Sequence, residues 1–189
     1  MGEAVLLIDS TSLHLSGIGS QWARFSADVY GAKVHVIYDP DLARPVYHAI
    51  SAANVNDITA AQDMPMAPGA TYVFDLGYYD YAWWAKLDAA GCRIVTRFKT
   101  NTPLHAARDL PLQAGSDIES DRIGLLPARQ ARSRKNPMQQ AVREVVVTTE
   151  TGKRLRILSN DLDAPAQEIA DLYKRRWQIE LFFRLMKQT

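Results

Sequence analysis

Two short apolar runs, Ala4–Asp9 (AVLLID) and Thr71–Asp75 (TYVFD), each close on an acid. Runs of this length, without polar interruption, read as buried central strands. A sheet must therefore be built around them. Lys33–Tyr38 (KVHVIY) alternates, and Pro45–Ile50 follows it across DPDLAR, whose Asp39, Pro40 and Asp41 make a turn, so these two form a hairpin. Asn56–Asp63 predicts a short helix, Tyr79–Ala90 a longer one stopped by Gly91, and Arg93–Phe98 a further strand. From Lys99 to Asn160 the chain turns to loops marked by Pro103, Pro111, Pro127 and Pro137. Two β-rich stretches follow, Val142–Thr149 and Arg154–Leu158, with a turn at Thr151 and Gly152. The expected fold class is α/β, a mixed five-stranded sheet with flanking helices. A mainly β insertion, 99–160, divides a first core part, 1–98, from a last one, 161–189.

The final segment, DAPAQEIADLYKRRWQIELFFRLMKQ, reads as one helix capped by Asp163, with Pro165 in its first turn. It carries Tyr173, Arg176, Glu180 and Lys187 at the spacing Y-x2-R-x3-E-x6-K. At about 100° per residue these four lie within roughly 60° of one another, on one stripe. A carboxylate flanked by a guanidinium and an ammonium is a metal ligand set among phosphate-binding cations. Trp177 and Phe182 are expected to anchor this helix to the sheet.

In a mixed sheet of ribonuclease-H-like order the first and fourth strands are neighbours. Asp9 and Asp75 would then meet at adjacent strand ends, with Glu180 closing the triangle. Three hard oxygen ligands, without a Cys or His cluster, suit two divalent ions, Mg2+ or Mn2+, and phosphoryl transfer. The charge balance, 22 basic against 21 acidic residues, hides local positive patches on Pro127–Arg143 and on the last helix, which suggest a polyanion partner at specific sites. Arg129, Arg132, Arg134 and Lys135 are either a DNA-backbone track or a solvated loop. Asp57 and Asp80 read as helix-start residues, and Trp83 and Trp84 as core. The single Cys92 excludes an intrachain disulfide and a thiolate zinc cluster. No run reaches the length of a membrane span, and the protein is expected to be soluble and intracellular.

I-D-S-T around Asp9, F-D-L-G-Y around Asp75 and Y-x2-R-x3-E-x6-K around Glu180 together resemble the DDE transposases of the insertion-sequence-four family, over nearly the whole chain. The resemblance implies a ribonuclease-H-like fold and cut-and-paste DNA strand transfer with Asp9, Asp75 and Glu180 as catalytic metal ligands. It also implies that Tyr173, Arg176 and Lys187 contact DNA near the cleaved end; Arg184, on the same helix, joins them as a DNA-binding cation. The partners implied are transposon ends and target DNA, with a homodimer formed on DNA. A nuclease that never joins strands, or a non-catalytic DNA-binding remnant, is the alternative. Family members carry a DNA-binding region ahead of the first catalytic Asp, so the chain resembles a catalytic core taken from a longer protein. Residues 99–160 hold no Trp, Tyr or Phe to stack a flipped base, which leaves a hairpin route without its aromatic.

Overall fold

The computed structural model describes residues 3–14, 31–114 and 116–188; the polar stretch after the first strand and the side chain of His14 lie outside them. The elements are β1 (Val5–His14), β2 (Gly31–Asp39), β3 (Arg44–Ala52), α1 (Asp57–Ala61), β4 (Thr71–Phe74), α2 (Tyr81–Ala89), β5 (Arg93–Arg97), β6 (His105–Asp109), β7 (Ile118–Leu125), β8 (Arg129–Ala131), β9 (Arg134–Lys135), β10 (Val142–Thr148), β11 (Arg154–Ser159), α3 (Ala166–Lys174) and α4 (Trp177–Gln188).

The fold is mixed α/β with one large sheet, ordered β3-β2-β1-β4-β5-β11-β10-β7-β6. The strands β1, β4 and β5 are parallel, and the first and fourth strands are neighbours as their sequence predicts. The five expected core strands are all present, β1 to β5, and the inserted segment extends the same sheet to nine. The edge of β5 would otherwise present a row of unpaired N–H and C=O groups. Instead β11 pairs with it antiparallel, Ile157 opposite Arg97 and Ser159 opposite Val95, and the rest of the inserted segment continues the same sheet.

The two-residue period of the strands sorts the apolar side chains into two cores. Leu6 and Ile8 of β1 and Tyr72 and Phe74 of β4 pack on one face with Trp83, Trp84 and Leu87 of α2. Val5, Leu7 and Val73 face the other way, onto Ile169, Leu172, Ile179 and Phe183 of α3 and α4. Trp83 and Trp84 are core, as expected, with Phe74 5.0 Å from Trp83 between ring centroids. Burying a side chain such as Phe74 stabilises the fold by about 2–3 kcal/mol. Asp80 caps α2, its carboxylate accepting from Trp83 N at 2.8 Å.

Three local expectations change. First, β1 does not end at Asp9: it runs on to His14 because β2 continues beside it, Asp9 opposite Val36 and Ser10 opposite His35. Second, the last helix is two. Arg176 N donates to Tyr173 O, Gln178 N to Arg175 O and Ile179 N to Arg176 O, three-residue bonds that tighten the backbone and separate α3 from α4. The helix cap also differs: Pro165 stands at the start of α3, and it is Asp161 that accepts from the amides of Asp163 and Ala164. Third, Trp177 is exposed rather than buried against the sheet, whereas Phe182 lies 5.1 Å from the Tyr38 ring. No helix among the described residues is long and apolar enough to cross a membrane.

Candidate active site

Strand parity decides where the functional groups point. Asp9 shares its parity with Val5 and Leu7, so its carboxylate faces α4; Ser10 faces the opposite side, toward α1. β1 pairs with β4 only from Val5 to Leu7, opposite Thr71 to Val73. Continuing that register brings Asp9 beside Asp75, the first residue beyond β4. Asp75 accepts from Gly77 N at 2.7 Å, a turn bond that starts the short 3-10 segment Leu76–Tyr78.

Arg176, in the break between α3 and α4, joins the two walls of the site. Its Nη1 lies 3.6 Å from Asp9 Oδ2 and its Nη2 2.5 Å from Glu180 Oε1. The guanidinium also lies 5.9 Å over the ring of Tyr173. Tyr173 is buried, which pushes its hydroxyl pKa up. Arg184 and Lys187 lie exposed on α4.

Asp9 is the most perturbed of the three acids. Burial pushes its pKa from 3.8 to about 6; the Ser10 amide opposes this, Asp75 adds to it, Arg176 offsets it, and Glu180 adds again. The carboxylates of β1, β4 and α4 therefore share one electrostatic field. Because the folded-state pKa lies above the unfolded one, the stabilising contribution is present below about pH 4 and is lost as pH rises through about 6. At pH 7 the ionised Asp9 works against the fold, by an amount on the order of 3 kcal/mol at most. Asp9→Asn should consequently raise the melting temperature in metal-free buffer at pH 7, by several degrees, and leave it unchanged near pH 4. Thermal melts at the two pH values check this; an equal gain at both would mean that charge is not the cause.

Does the site fit divalent cations? The donors are all carboxylate oxygens, which is the chemistry of hard ions, and their mutual repulsion is what a cation relieves. Among the described residues, however, no three His, Cys, Asp or Glu side chains lie close enough together to hold one ion. Arg176 stands between Asp9 and Glu180. The residues fit in kind, and shared ligation requires the guanidinium to move aside.

The basic run is a two-stranded hairpin, β8–β9, docked on the start of α2. Gln130 accepts from Tyr81 N at 2.7 Å and donates to Tyr79 O at 3.0 Å. Arg134 is drawn into structure: its Nη2 meets the buried Asp80 carboxylate at 2.5 Å. Arg129 donates to Arg132 O, and Arg129, Arg132 and Lys135 are exposed.

Asp57, whose sequence reading favoured capping its short helix over binding DNA or orienting a ligand, stands in the first turn of α1 behind Asn56 at the cap position, and its carboxylate reaches Ser10, next to Asp9. The contact lies 47 residues away in the chain and left no local signal.

The family model of the transposase DDE domain matches residues 1–189. The chain belongs to the DDE transposases. It is 38% identical over 188 residues to the putative transposase y4zB of Sinorhizobium fredii (strain NBRC 101917 / NGR234), covering 99% of this chain and 52% of that protein. It is 27% identical over 184 residues to the probable transposase for insertion sequence element IS5377 of Geobacillus stearothermophilus, covering 96% and 47%. This DDE domain thus spans about half the length of the curated relatives it matches. Its fold is similar to that of piggyBac transposase in a cryo-EM structure of a synaptic complex with hairpin DNA. The TM-score is 0.61 at 11% identity, over 99% of this chain and 41% of that one.

Proposed function

We propose that the chain is the catalytic core of a transposase that cuts DNA at the ends of an insertion sequence and joins the freed 3′-hydroxyl to target DNA. The observation that carries this reading is the bridge of Arg176 between Asp9 on β1 and Glu180 on α4, with Asp75 close enough to press on the charge of Asp9. The ribonuclease-H-like fold is proposed from the order β3-β2-β1-β4-β5 with α3 and α4 behind it. The insertion-sequence-four assignment rests on the Y-x2-R-x3-E-x6-K spacing.

Asp9, Asp75 and Glu180 are the residues that would hold the ions, Mg2+ or Mn2+. Bound there, two such ions activate a water or a 3′-hydroxyl and stabilise the leaving oxygen. The protein's own groups supply position and charge. Arg176 Nε and Arg97 Nε are buried without a hydrogen-bond partner, and a phosphate oxygen would satisfy such donors. Arg176 passes from its carboxylate partners to the DNA phosphate. Tyr173 acts from beneath as the surface on which that guanidinium rests. Arg184 and Lys187 on α4, and Arg129, Arg132 and Lys135 on the hairpin, neutralise the flanking backbone, while Arg134 holds the hairpin to α2. DNA ends, target DNA and a second copy assembled on them are the partners of this reading, and its setting is the bacterial cytoplasm.

Duplexes carrying the terminal sequences of the element, incubated with the protein in Mg2+ or in EDTA, test it. Nicked and then joined products in Mg2+ alone are the expected result. Nicks without joined strands would make the protein a nuclease only. Equal binding in EDTA and Mg2+, with no cleavage, would make it a binding remnant.

A further inference from the structure

The face of β1 opposite Asp9 holds a second constellation, centred on Asp57 at the first turn of α1. Its Oδ1 accepts from Ser10 Oγ at 2.7 Å and lies 3.1 Å from Lys33 Nζ and 3.8 Å from His35 Nδ1. Each of those partners is itself fixed. Lys33 donates to Val55 O at 2.9 Å, and the fully buried His35 pairs through Nε2 with Ser51 Oγ at 2.8 Å. The other oxygen of Asp57 abuts the loop after β4: a Cβ on Gly77 would lie 2.9 Å from Asp57 Oδ2 and 3.0 Å from Asp75 Oδ1. A side chain there would have to push one carboxylate or the other aside, because both crowd the same point.

One carboxylate thus bonds the residue after Asp9 and stands close beside the residue two beyond Asp75. Asp9 and Ser10 project to opposite faces of β1, so the Ser10 anchor on the α1 side limits rotation of the backbone that aims Asp9 at α4. Asp57 Oδ2, beside Gly77, limits the room of the turn whose amide orients Asp75. Beyond Leu7 β1 is paired along its β2 side, Asp9 opposite Val36 and Ser10 opposite His35, and no longer with β4, so on the side of Asp75 its position depends on side-chain contacts. We propose that Asp57 is a positioning residue, which acts through Ser10 and Gly77 to hold Asp9 and Asp75 in register with each other. This rests on the function proposed above.

Single-turnover cleavage of end-containing duplex in Mn2+, duplex affinity in EDTA and thermal melts are to be compared for the full chain and its Asp57→Ala, Asp57→Asn, Ser10→Ala and Asp57→Ala/Ser10→Ala variants. Misplacement of a reacting group by about 1 Å costs on the order of a hundredfold in rate, so Asp57→Ala should cleave about ten- to a hundredfold more slowly. Its duplex affinity should stay within about twofold of the parent. Asn still accepts from Ser10, and Asp57→Asn should recover most of the rate. Ser10→Ala should add nothing in the Asp57→Ala background, since the two act as a unit. Should Asp57→Ala fail to fold, the Asn and Ser10 variants decide: a rate loss in Ser10→Ala that Asp57→Asn does not share supports the inference. Parental cleavage rates in Asp57→Ala, or in Ser10→Ala where Asp57→Ala does not fold, overturn it, as does a loss confined to duplex affinity. If the unsubstituted protein does not cleave at all, it is the function reading that fails.

Discussion

Asp75→Asn should abolish DNA cleavage while leaving the fold almost untouched. Structurally, Asp75 accepts one turn bond, from Gly77 N, and stands half-buried at the end of β4. Losing such a cap altogether costs about 1 kcal/mol, a few degrees in melting temperature for a chain of this size, and Asn Oδ1 preserves it. Chemically, the substitution removes one of the three anionic ligands of the proposed site. We expect the cleavage rate in Mg2+ to fall by about a thousandfold or more, ~4 kcal/mol of transition-state stabilisation. The two effects differ several-fold in energy and appear in different measurements. Cleavage kinetics beside a thermal melt separate them, and Asp75→Ala extends the series by deleting the cap as well. An Asp75→Asn protein that cleaves as fast as its parent would remove this residue from the chemistry, whatever Asp9 and Glu180 do.

The core of the sheet was legible because its signal is local. AVLLID and TYVFD announce buried strands, and their terminal acids mark the end at which chemistry can sit. Where pairing is long-range, the sequence is silent. The strand β6, His105–Asp109, is exposed at every position and has no apolar alternation. The strand β7 hides its period behind Asp121 and Arg122, which are paired across the ladder to Arg143 and Glu144 rather than solvated. Only the free edge of β5 makes these segments one sheet with the core. The break before α4 is equally invisible, since Lys174, Arg175 and Arg176 are all good helix formers. What bends the chain there is tertiary: Arg175 pairs with Asp41 at 2.5 Å while Arg176 turns to Asp9 and Glu180. The stripe argument that placed four residues on one face holds for Arg176 and Glu180, which meet, and for Tyr173, whose ring lies under the Arg176 guanidinium; that Tyr173 is buried there is what the spacing did not tell.

Asp121→Ala should be the most destabilising single substitution outside the aromatic core. Asp121 on β7 and Arg143 on β10 are both nearly inaccessible, 4% and 5% exposed. They form a two-pronged pair, Arg143 Nε to Oδ1 at 2.8 Å and Nη2 to Oδ2 at 2.7 Å. This pairing is the first reason that the Arg143 pKa lies above its ordinary value. Truncating the acid strands a buried guanidinium whose remaining partners are the carbonyls of Leu162 and Ala164. Breaking a buried pair from one side costs about 3–5 kcal/mol, roughly 10 °C at this chain length. Denaturant midpoints should show that loss, and a change under about 1 kcal/mol would mean that water or a neighbouring group replaces the acid. Removing both charges, as Asp121→Leu with Arg143→Met, should recover most of the stability, because the cost lies in the orphaned charge and not in the missing attraction. The double variant should nevertheless cleave DNA more slowly than its stability suggests. Arg143 grips the two carbonyls just ahead of α3, and α3 and α4 carry Arg176 and Glu180 to the acids of the sheet, so a well-folded protein without that grip holds its last carboxylate less firmly against the other two.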